Sequence, residues 1–133
     1  MTIDVREHEQ RLPLFFESLH RRRWRTLLDS GRRQDALSDL DRRVSLDARY
    51  QIEISGKGGG QSPDSIHLLL KSRGAPNRCY VISTDLELDQ SEKELRAAIE
   101  AADGGTTILS CIPGRLGYFE SHEGDRYVLE RPA

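Results

Sequence analysis

The chain has 133 residues, of which 36% are hydrophobic and 32% charged, and its formal net charge is −2. The length suits one globular domain, the near-neutral charge excludes a general attraction to nucleic acid or anionic membranes, and two cysteines are too few for a disulfide framework. Because the sequence has no apolar run of about 20 residues and no apolar leader, we expect a small soluble bacterial protein, cytoplasmic and without a membrane span.

The chain opens with helical signals. Asp4 and Glu7 have the spacing of residues that cap a short first helix. Pro13 interrupts any continuation and suits the first turn of a second helix, which we predict to run to about Ser30. Gly31 is typical of a residue that ends a helix.

The pattern then changes from helical to alternating. A further short helix is predicted around 34–44 because Leu37 and Leu40 recur at helical spacing. Alternating apolar residues from Tyr50 to Ile54 predict the first strand. The following glycine-rich segment, 56–65, is predicted to be a mobile loop.

The middle of the chain predicts two more strands and a helix. The strands are expected near 66–73 and 78–84, joined by a turn. Ser91 and Glu94 have the spacing of a capping box, so we predict a helix that starts there and ends at Gly104-Gly105.

The last quarter predicts three strands separated by turns at Pro113-Gly114 and Glu123-Gly124. The first turn places Leu109 opposite Tyr118, Ile108 opposite Phe119 and Cys111 opposite Leu116, and the second places Tyr118 opposite Leu129 and Phe119 opposite Val128. One face of these strands is then apolar and holds Leu109, Cys111, Leu116, Tyr118, Tyr127 and Leu129.

These elements predict a single α+β domain over residues 1–133, in which residues 1–11 are frayed or form a short helix. The order α(α)-βββ-α-βββ implies a mostly antiparallel sheet of five or six strands, built from two β-meanders joined by a crossover helix, with helices packed on one face. At this level the order is similar to that of small dimeric bacterial chaperones that hold secretion substrates.

Catalytic, metal and cofactor patterns are weak. The four histidines are dispersed and no cysteine pair has zinc-binding spacing, so we expect no metal site. The segment Gly56–Gly60 lacks the order of a phosphate-binding loop and does not lead into a predicted helix, so we expect no nucleotide cofactor. Cys79 and Cys111 are interpreted as buried core residues.

The strongest local charge feature is a basic segment with one tryptophan. Its candidate partner-binding residues are Arg21, Arg22, Trp24, Arg25, Arg32 and Arg33. Cations beside an aromatic ring suit an acidic protein partner, or phosphates with a stacked base. The plainer interpretation is a solvated helix face balanced by nearby aspartates. Arg23 falls on the apolar stripe, where it can extend its charged end to the surface, pair with a carboxylate, or mark the point at which the stripe shifts.

Function is predicted mainly by exclusion. The first hypothesis is a non-enzymatic protein-binding, adaptor or chaperone-like domain, and a homodimer is one form that it can take. It predicts that some large apolar groups of the N-terminal region are exposed or lie in a dimer interface. The alternatives are nucleic-acid binding through Arg21–Arg25, and a small enzyme in which His67, a cysteine and carboxylates meet on the sheet.

Overall fold

The computed structural model describes residues 4–42, 46–54, 62–102 and 105–132. Within them the helices are α1 (Val5–Arg11), α2 (Ser18–Asp29), α3 (Arg33–Arg42), α4 (Pro63–Ser72) and α5 (Leu95–Ala101). The strands are β1 (Gln51–Glu53), β2 (Arg78–Ser83), β3 (Glu92–Glu94), β4 (Thr107–Ile112), β5 (Leu116–Glu120) and β6 (Arg126–Glu130). The α+β class is confirmed.

The six strands form one antiparallel sheet in the order β1-β6-β5-β4-β2-β3. Strands β4, β5 and β6 make the predicted C-terminal meander. Strand β1 joins this meander at β6, so the sheet begins and ends with three-residue edge strands. A six-stranded, all-antiparallel sheet is therefore confirmed.

The prediction of a strand near 66–73 is wrong, because this segment forms α4. The Ser62 hydroxyl accepts a hydrogen bond from the Ser65 amide and Pro63 occupies the first turn, so the local sequence starts a helix. Gly74, at a φ of +98°, follows the end of α4. The first predicted meander therefore does not exist. Of the predicted loop, residues 56–61 lie outside the described residues, and 62–65 form the cap and first turn of α4 instead.

The predicted capping box is also wrong. The segment Glu92–Glu94 pairs with β2 as strand β3, and α5 begins only at Leu95. The Ser91 hydroxyl donates to the Leu88 carbonyl at 2.5 Å, so it serves the preceding turn. Pairing with β2 satisfies the backbone of this segment and overrides its helical spacing.

The N-terminal helices match their predicted signals in part. Asp4 caps α1 by accepting a hydrogen bond from the Glu7 amide at 3.0 Å, as predicted. The predicted second helix is divided, because Pro13 lies in a short 3-10 turn and α2 starts only at Ser18. Helix α2 ends before Gly31, whose φ of +73° confirms the predicted stop. Helix α3 lies within the segment around 34–44, apart from its first residue.

Helices cover both faces of the sheet, whereas the sequence predicted one. Along β2, Cys79 and Val81 point to a core shared with α4 and α5, which we call the α4–α5 face. Tyr80 and Ile82 point to a second core shared with α2, α3 and the turn before α2, which we call the N-terminal face. Five of the six β2 residues are buried, because this strand lies between two helical layers.

The hairpin registers were predicted in part. Leu109 pairs with Tyr118 and Ile108 with Phe119, as predicted, but a bulge near Cys111 pairs Leu116 with Ile112. In the second hairpin the predicted register is wrong by one residue.

In that hairpin Tyr118 pairs with Val128 and Phe119 with Tyr127. The one-residue difference moves Tyr127 and Leu129 to the N-terminal face and places Val128 on the α4–α5 face.

Candidate functional site

The side chains of the basic segment separate according to the face of α2 on which they lie. Trp24 is only 1% exposed and packs edge-to-face against Phe16, with 5.4 Å between ring centroids. It belongs to the core of the N-terminal face, so its ring is not available for stacking on a base or a partner.

Arg21 also has a structural role. Its Nε donates to the Phe16 carbonyl at 3.1 Å, and one Nη donates to the Leu14 carbonyl at 3.4 Å. The guanidinium therefore secures the chain between the 3-10 turn and α2. Arg23 pairs with the largely buried carboxylate of Asp39, which is one of the three roles expected from its position on the apolar stripe.

Two exposed arginines of the segment have no such carboxylate partner within the described ranges and lie on opposite flanks of α2. Arg25 points toward α1, and Arg22 points toward the other side, near Leu19. Neither makes an ion pair with any residue that the structure describes. Arg32 is exposed too and pairs with Asp35 at 2.8 Å, three residues along the chain.

Arg33 lies in a buried ionic cluster. Its guanidinium donates to both carboxylate oxygens of Asp89, at 2.7 and 2.9 Å, and also to Glu9. Only 19% of its side chain is exposed. Burial acts to lower the pKa of Arg33, but the hydrogen bonds and charges of the two carboxylates outweigh burial and raise it. The cluster therefore joins α1, α3 and the β2–β3 turn.

Further titratable groups extend this cluster to the sheet. Burial raises the pKa of Glu9, and the charge and hydrogen bond of Arg33 oppose part of this increase. The Tyr80 hydroxyl lies beside the Glu9 carboxylate without reaching hydrogen-bond geometry, and burial followed by the Glu9 charge raises the pKa of Tyr80. His8 Nδ1 is 2.5 Å from the Ser110 hydroxyl, and its ring lies against Tyr80 at 5.7 Å. These contacts hold α1 on the sheet.

A cleft of about 750 Å³ opens above the ionic cluster, between α1, α2 and the end of the β2–β3 turn. Arg33 and Glu9 form its floor, and Arg6, Arg25 and Asp29 are exposed around it. Gln90 lies on the turn side with a φ of +65°, a conformation that is uncommon for a residue with a side chain. The lining residues are Arg6, Glu9, Gln10, Arg25, Leu28, Asp29, Arg33 and Gln90.

The cleft contains one guanidinium that is paired with carboxylates and two that are exposed. Arg33 is neutralised by Glu9 and Asp89, whereas Arg6 and Arg25 make no ion pair with a described residue. The exposed groups thus comprise two guanidiniums and the carboxylate of Asp29. A volume in this range and a few converging polar groups are typical of binding sites.

The groups named for the enzyme hypothesis are not brought together. His67 lies on α4 beside a shallow polar depression lined by Asp64, Asn77, Glu94 and Arg96, and neither cysteine lines it. Cys79 and Cys111 are buried on the α4–α5 face. Burial raises the pKa of Cys79 to about 12 and raises that of Cys111 well above its ordinary value. Such thiols are poor nucleophiles.

The described residues show neither a cluster of metal ligands nor a helix suited to a membrane. Over residues 4–42, 46–54, 62–102 and 105–132, no three histidine, cysteine, aspartate or glutamate side chains converge in a way that would hold a metal ion. None of the helices in this part of the chain is long and apolar enough to cross a membrane.

Sequence reasoning identified Arg25 and Arg33 but missed Arg6, Glu9, Tyr80 and Asp89. The cleft joins residues from four elements, and Arg33 is separated from Glu9 by 24 positions and from Asp89 by 56. No local spacing signals such contacts. The basic segment provided a partial signal, since it directed attention to α2.

Comparison with protein-family models, with curated proteins and with solved structures finds no significant match to this chain. The observed element order also differs from the order on which the similarity to secretion chaperones depended, because α4 replaces a strand. The residues of the cleft are therefore the main indication of function.

Proposed function

We propose that the chain is a non-enzymatic protein-binding domain whose cleft between α1 and α2 takes an acidic segment of a partner. The observation that carries this proposal is the pair of exposed guanidiniums, Arg6 and Arg25, which have no ion-pair partner among the described residues. An aspartate or glutamate side chain that enters the cleft can accept charge-assisted hydrogen bonds from these guanidiniums. Asp29, also exposed there, offsets part of their positive charge.

The apolar groups of the N-terminal region do not support the proposal in the way that the sequence suggested. Phe15, Phe16, Trp24 and Leu27 are covered by the chain itself, so the aromatic groups give the hypothesis no support, and the prediction that some large apolar groups of this region are exposed holds only for a leucine. Leu19 alone of the predicted large groups is highly exposed, at 78%. Support for partner binding therefore comes from charge and from the shape of the cleft.

Nucleic-acid binding has less support. The stacking ring is buried, Arg21 binds backbone carbonyls, and Arg33 is neutralised. The phosphates of a nucleic-acid backbone would contact only guanidiniums that are scattered over two flanks of α2. It would also meet the Asp29 carboxylate in the cleft.

The test is a fluorescence-anisotropy titration with a labelled peptide in which glutamates alternate with glycines, at 20 mM and 300 mM salt. Wild-type protein is expected to bind at low salt and to bind about tenfold or more weakly at high salt, because exposed charges are screened. The double variant Arg6→Gln/Arg25→Gln is expected to lose binding. Arg115→Gln, at an exposed arginine that lines neither flank of α2, is the matched control and is expected to bind as wild type does.

Three results would overturn the proposal. The first is binding that Arg6→Gln/Arg25→Gln leaves unchanged, since the cleft would then not be the site. The second is tighter binding of a labelled oligothymidine of equal charge than of the peptide, which would favour the nucleic-acid alternative. Absence of peptide binding at 20 mM salt also counts against it.

A further inference from the structure

The second flank of α2 carries a shallow basic groove, which we call the α2 groove. It encloses about 410 Å³ and is lined by Leu19, Arg22, Arg23, Thr26, Leu27 and Arg32. Leu19 is 78% exposed, which is unusual for a large apolar side chain in a helix that buries its other large apolar groups. The α2 groove is separate from the cleft, which lies on the opposite flank.

The charges of the α2 groove have one sign. Arg23 and Arg32 are held in place by Asp39 and Asp35, yet 52% and 60% of their side chains remain exposed. Arg22 makes no ion pair with a described residue. An exposed leucine among three guanidiniums suits an acidic segment that carries one apolar side chain, since the apolar contact and the ion pairs can form together.

The same chain displays such a segment in the turn between β2 and β3. This segment, Asp85–Leu86–Glu87, is exposed along its length, and Leu86 is 63% exposed. Neither acidic residue makes an ion pair within the described part of the chain. We call it the acidic tip.

The acidic tip is held in one conformation by its own hydrogen bonds. Asp85 accepts from the Glu87 amide at 3.0 Å, and its carbonyl accepts from the amides of Leu88 and Asp89 at 3.0 and 2.9 Å. The Asp85 amide donates to the Ser83 hydroxyl at 3.0 Å. Because the turn is ordered before contact, docking it loses little conformational entropy.

We propose that the α2 groove of one copy of this chain binds the acidic tip of a second copy. Leu86 of the second copy would lie against Leu19, and Asp85 and Glu87 would face the guanidiniums around it. The two surfaces differ, so in a head-to-tail arrangement each pair keeps a free groove at one end and a free tip at the other. Association should therefore continue beyond a dimer as concentration rises. It should weaken with salt.

Sedimentation velocity tests this proposal with two complementary variants. Wild-type protein at 20 mM salt is expected to increase in weight-average mass with concentration, and this increase should be much reduced at 300 mM salt. Leu19→Glu replaces the apolar group of the groove with a negative charge, and Leu86→Lys replaces that of the tip with a positive charge. Each variant alone should therefore remain monomeric. Mixed in equal amounts, they should form a pair and stop there, because one intact tip meets one intact groove.

Controls separate this contact from other effects. Leu68→Glu changes an equally exposed leucine, at 69%, on α4 and should associate as wild type does. Arg25→Gln acts on the cleft and should also leave association unchanged, so this proposal and the proposed function can fail independently. All four residues are exposed, and circular dichroism confirms that each variant is folded.

Three outcomes would overturn the proposal. They are a wild-type mass that stays monomeric up to about 1 mM, a mixture of Leu19→Glu and Leu86→Lys that shows no pair, and association that survives in either single variant. Within one chain, Arg22→Glu or Glu87→Arg should each weaken association about tenfold, and the double variant should recover part of the loss because the charges are exchanged.

Discussion

The α4–α5 face and the N-terminal face of the sheet are both closed by helices, but they bury different chemistry. Under α4 and α5 the core is built from aliphatic side chains, small alanines, two thiols and Tyr118. Its buried acid, Glu120, accepts hydrogen bonds at one carboxylate oxygen from the Tyr118 hydroxyl at 2.7 Å and from Arg126 Nε at 3.1 Å.

The N-terminal face combines large aromatic rings with charges. Phe15, Phe16 and Trp24 pack here, and the cluster of Glu9, Arg33 and Asp89 lies beside them. An apolar side chain can pack against many kinds of apolar neighbour, whereas a buried charge requires specific partners. The cleft opens beside this charged cluster, which contributes Glu9 and Arg33 to its lining.

The largest expected effect comes from breaking the aromatic packing of the N-terminal face. Trp24→Ala should lower the free energy of unfolding by about 4 kcal/mol, because it removes a fully buried ring and leaves a cavity beside Phe16. Urea denaturation measures this change. Leu19→Ala on the same helix is the matched control and should change the free energy of unfolding by less than about 0.5 kcal/mol. Equal effects of the two substitutions would contradict the buried position of Trp24.

The next largest effect on the free energy of unfolding tests whether Arg33 stabilises the fold through its two carboxylate partners. Arg33→Met should lower the free energy of unfolding by about 3 kcal/mol, because it leaves the largely buried carboxylates of Glu9 and Asp89 without their cation. The exposed neighbour Arg32 provides the control, and Arg32→Met should cost about 0.5 kcal/mol or less. Comparable stability of the two variants would mean that Arg33 is available to a partner, as the sequence suggested.

The smallest expected effect is a pH dependence of the free energy of unfolding that arises from His8 on the N-terminal face. Burial lowers the pKa of His8 from 6.5, with Glu7 and Asp4 opposing in part, so the unfolded chain binds this proton first as pH falls. The free energy of unfolding should therefore decrease as pH falls below 6.5, by about 1.4 kcal/mol for each unit between the folded and unfolded pKa values. Urea denaturation of wild type and His8→Gln between pH 7.5 and 5.5 measures the His8 contribution as their difference.

Glu9 acts in the opposite direction in this comparison. Its raised pKa means that the folded chain takes up this proton first, so its protonation favours the folded state as pH falls. Because Glu9 is present in both proteins, its contribution is largely removed when the two are subtracted. A difference between wild type and His8→Gln that does not vary with pH would show that His8 is not buried as a neutral ring.

The sequence anticipated the elements in which local signals and tertiary packing agree. Asp4 caps α1 and Gly31 follows α2 as predicted, because both depend on contacts within a few residues. Ser62 and Pro63 also gave a local helix signal, which the apolar run after them obscured. The segment Glu92–Glu94 shows the opposite case, in which strand pairing overrode a helical spacing.

What the sequence by itself determined is the α+β class, the antiparallel C-terminal meander and the register of its first hairpin before the bulge. These follow from periodicity and short turns, which act over a few residues. The tertiary structure alone decided that helices cover both faces, that Trp24 and Arg33 are buried, and that Arg6 and Arg25 share a cleft. Such features depend on which distant residues meet, and the pairing of Arg33 with Asp89 across 56 positions has no local signature.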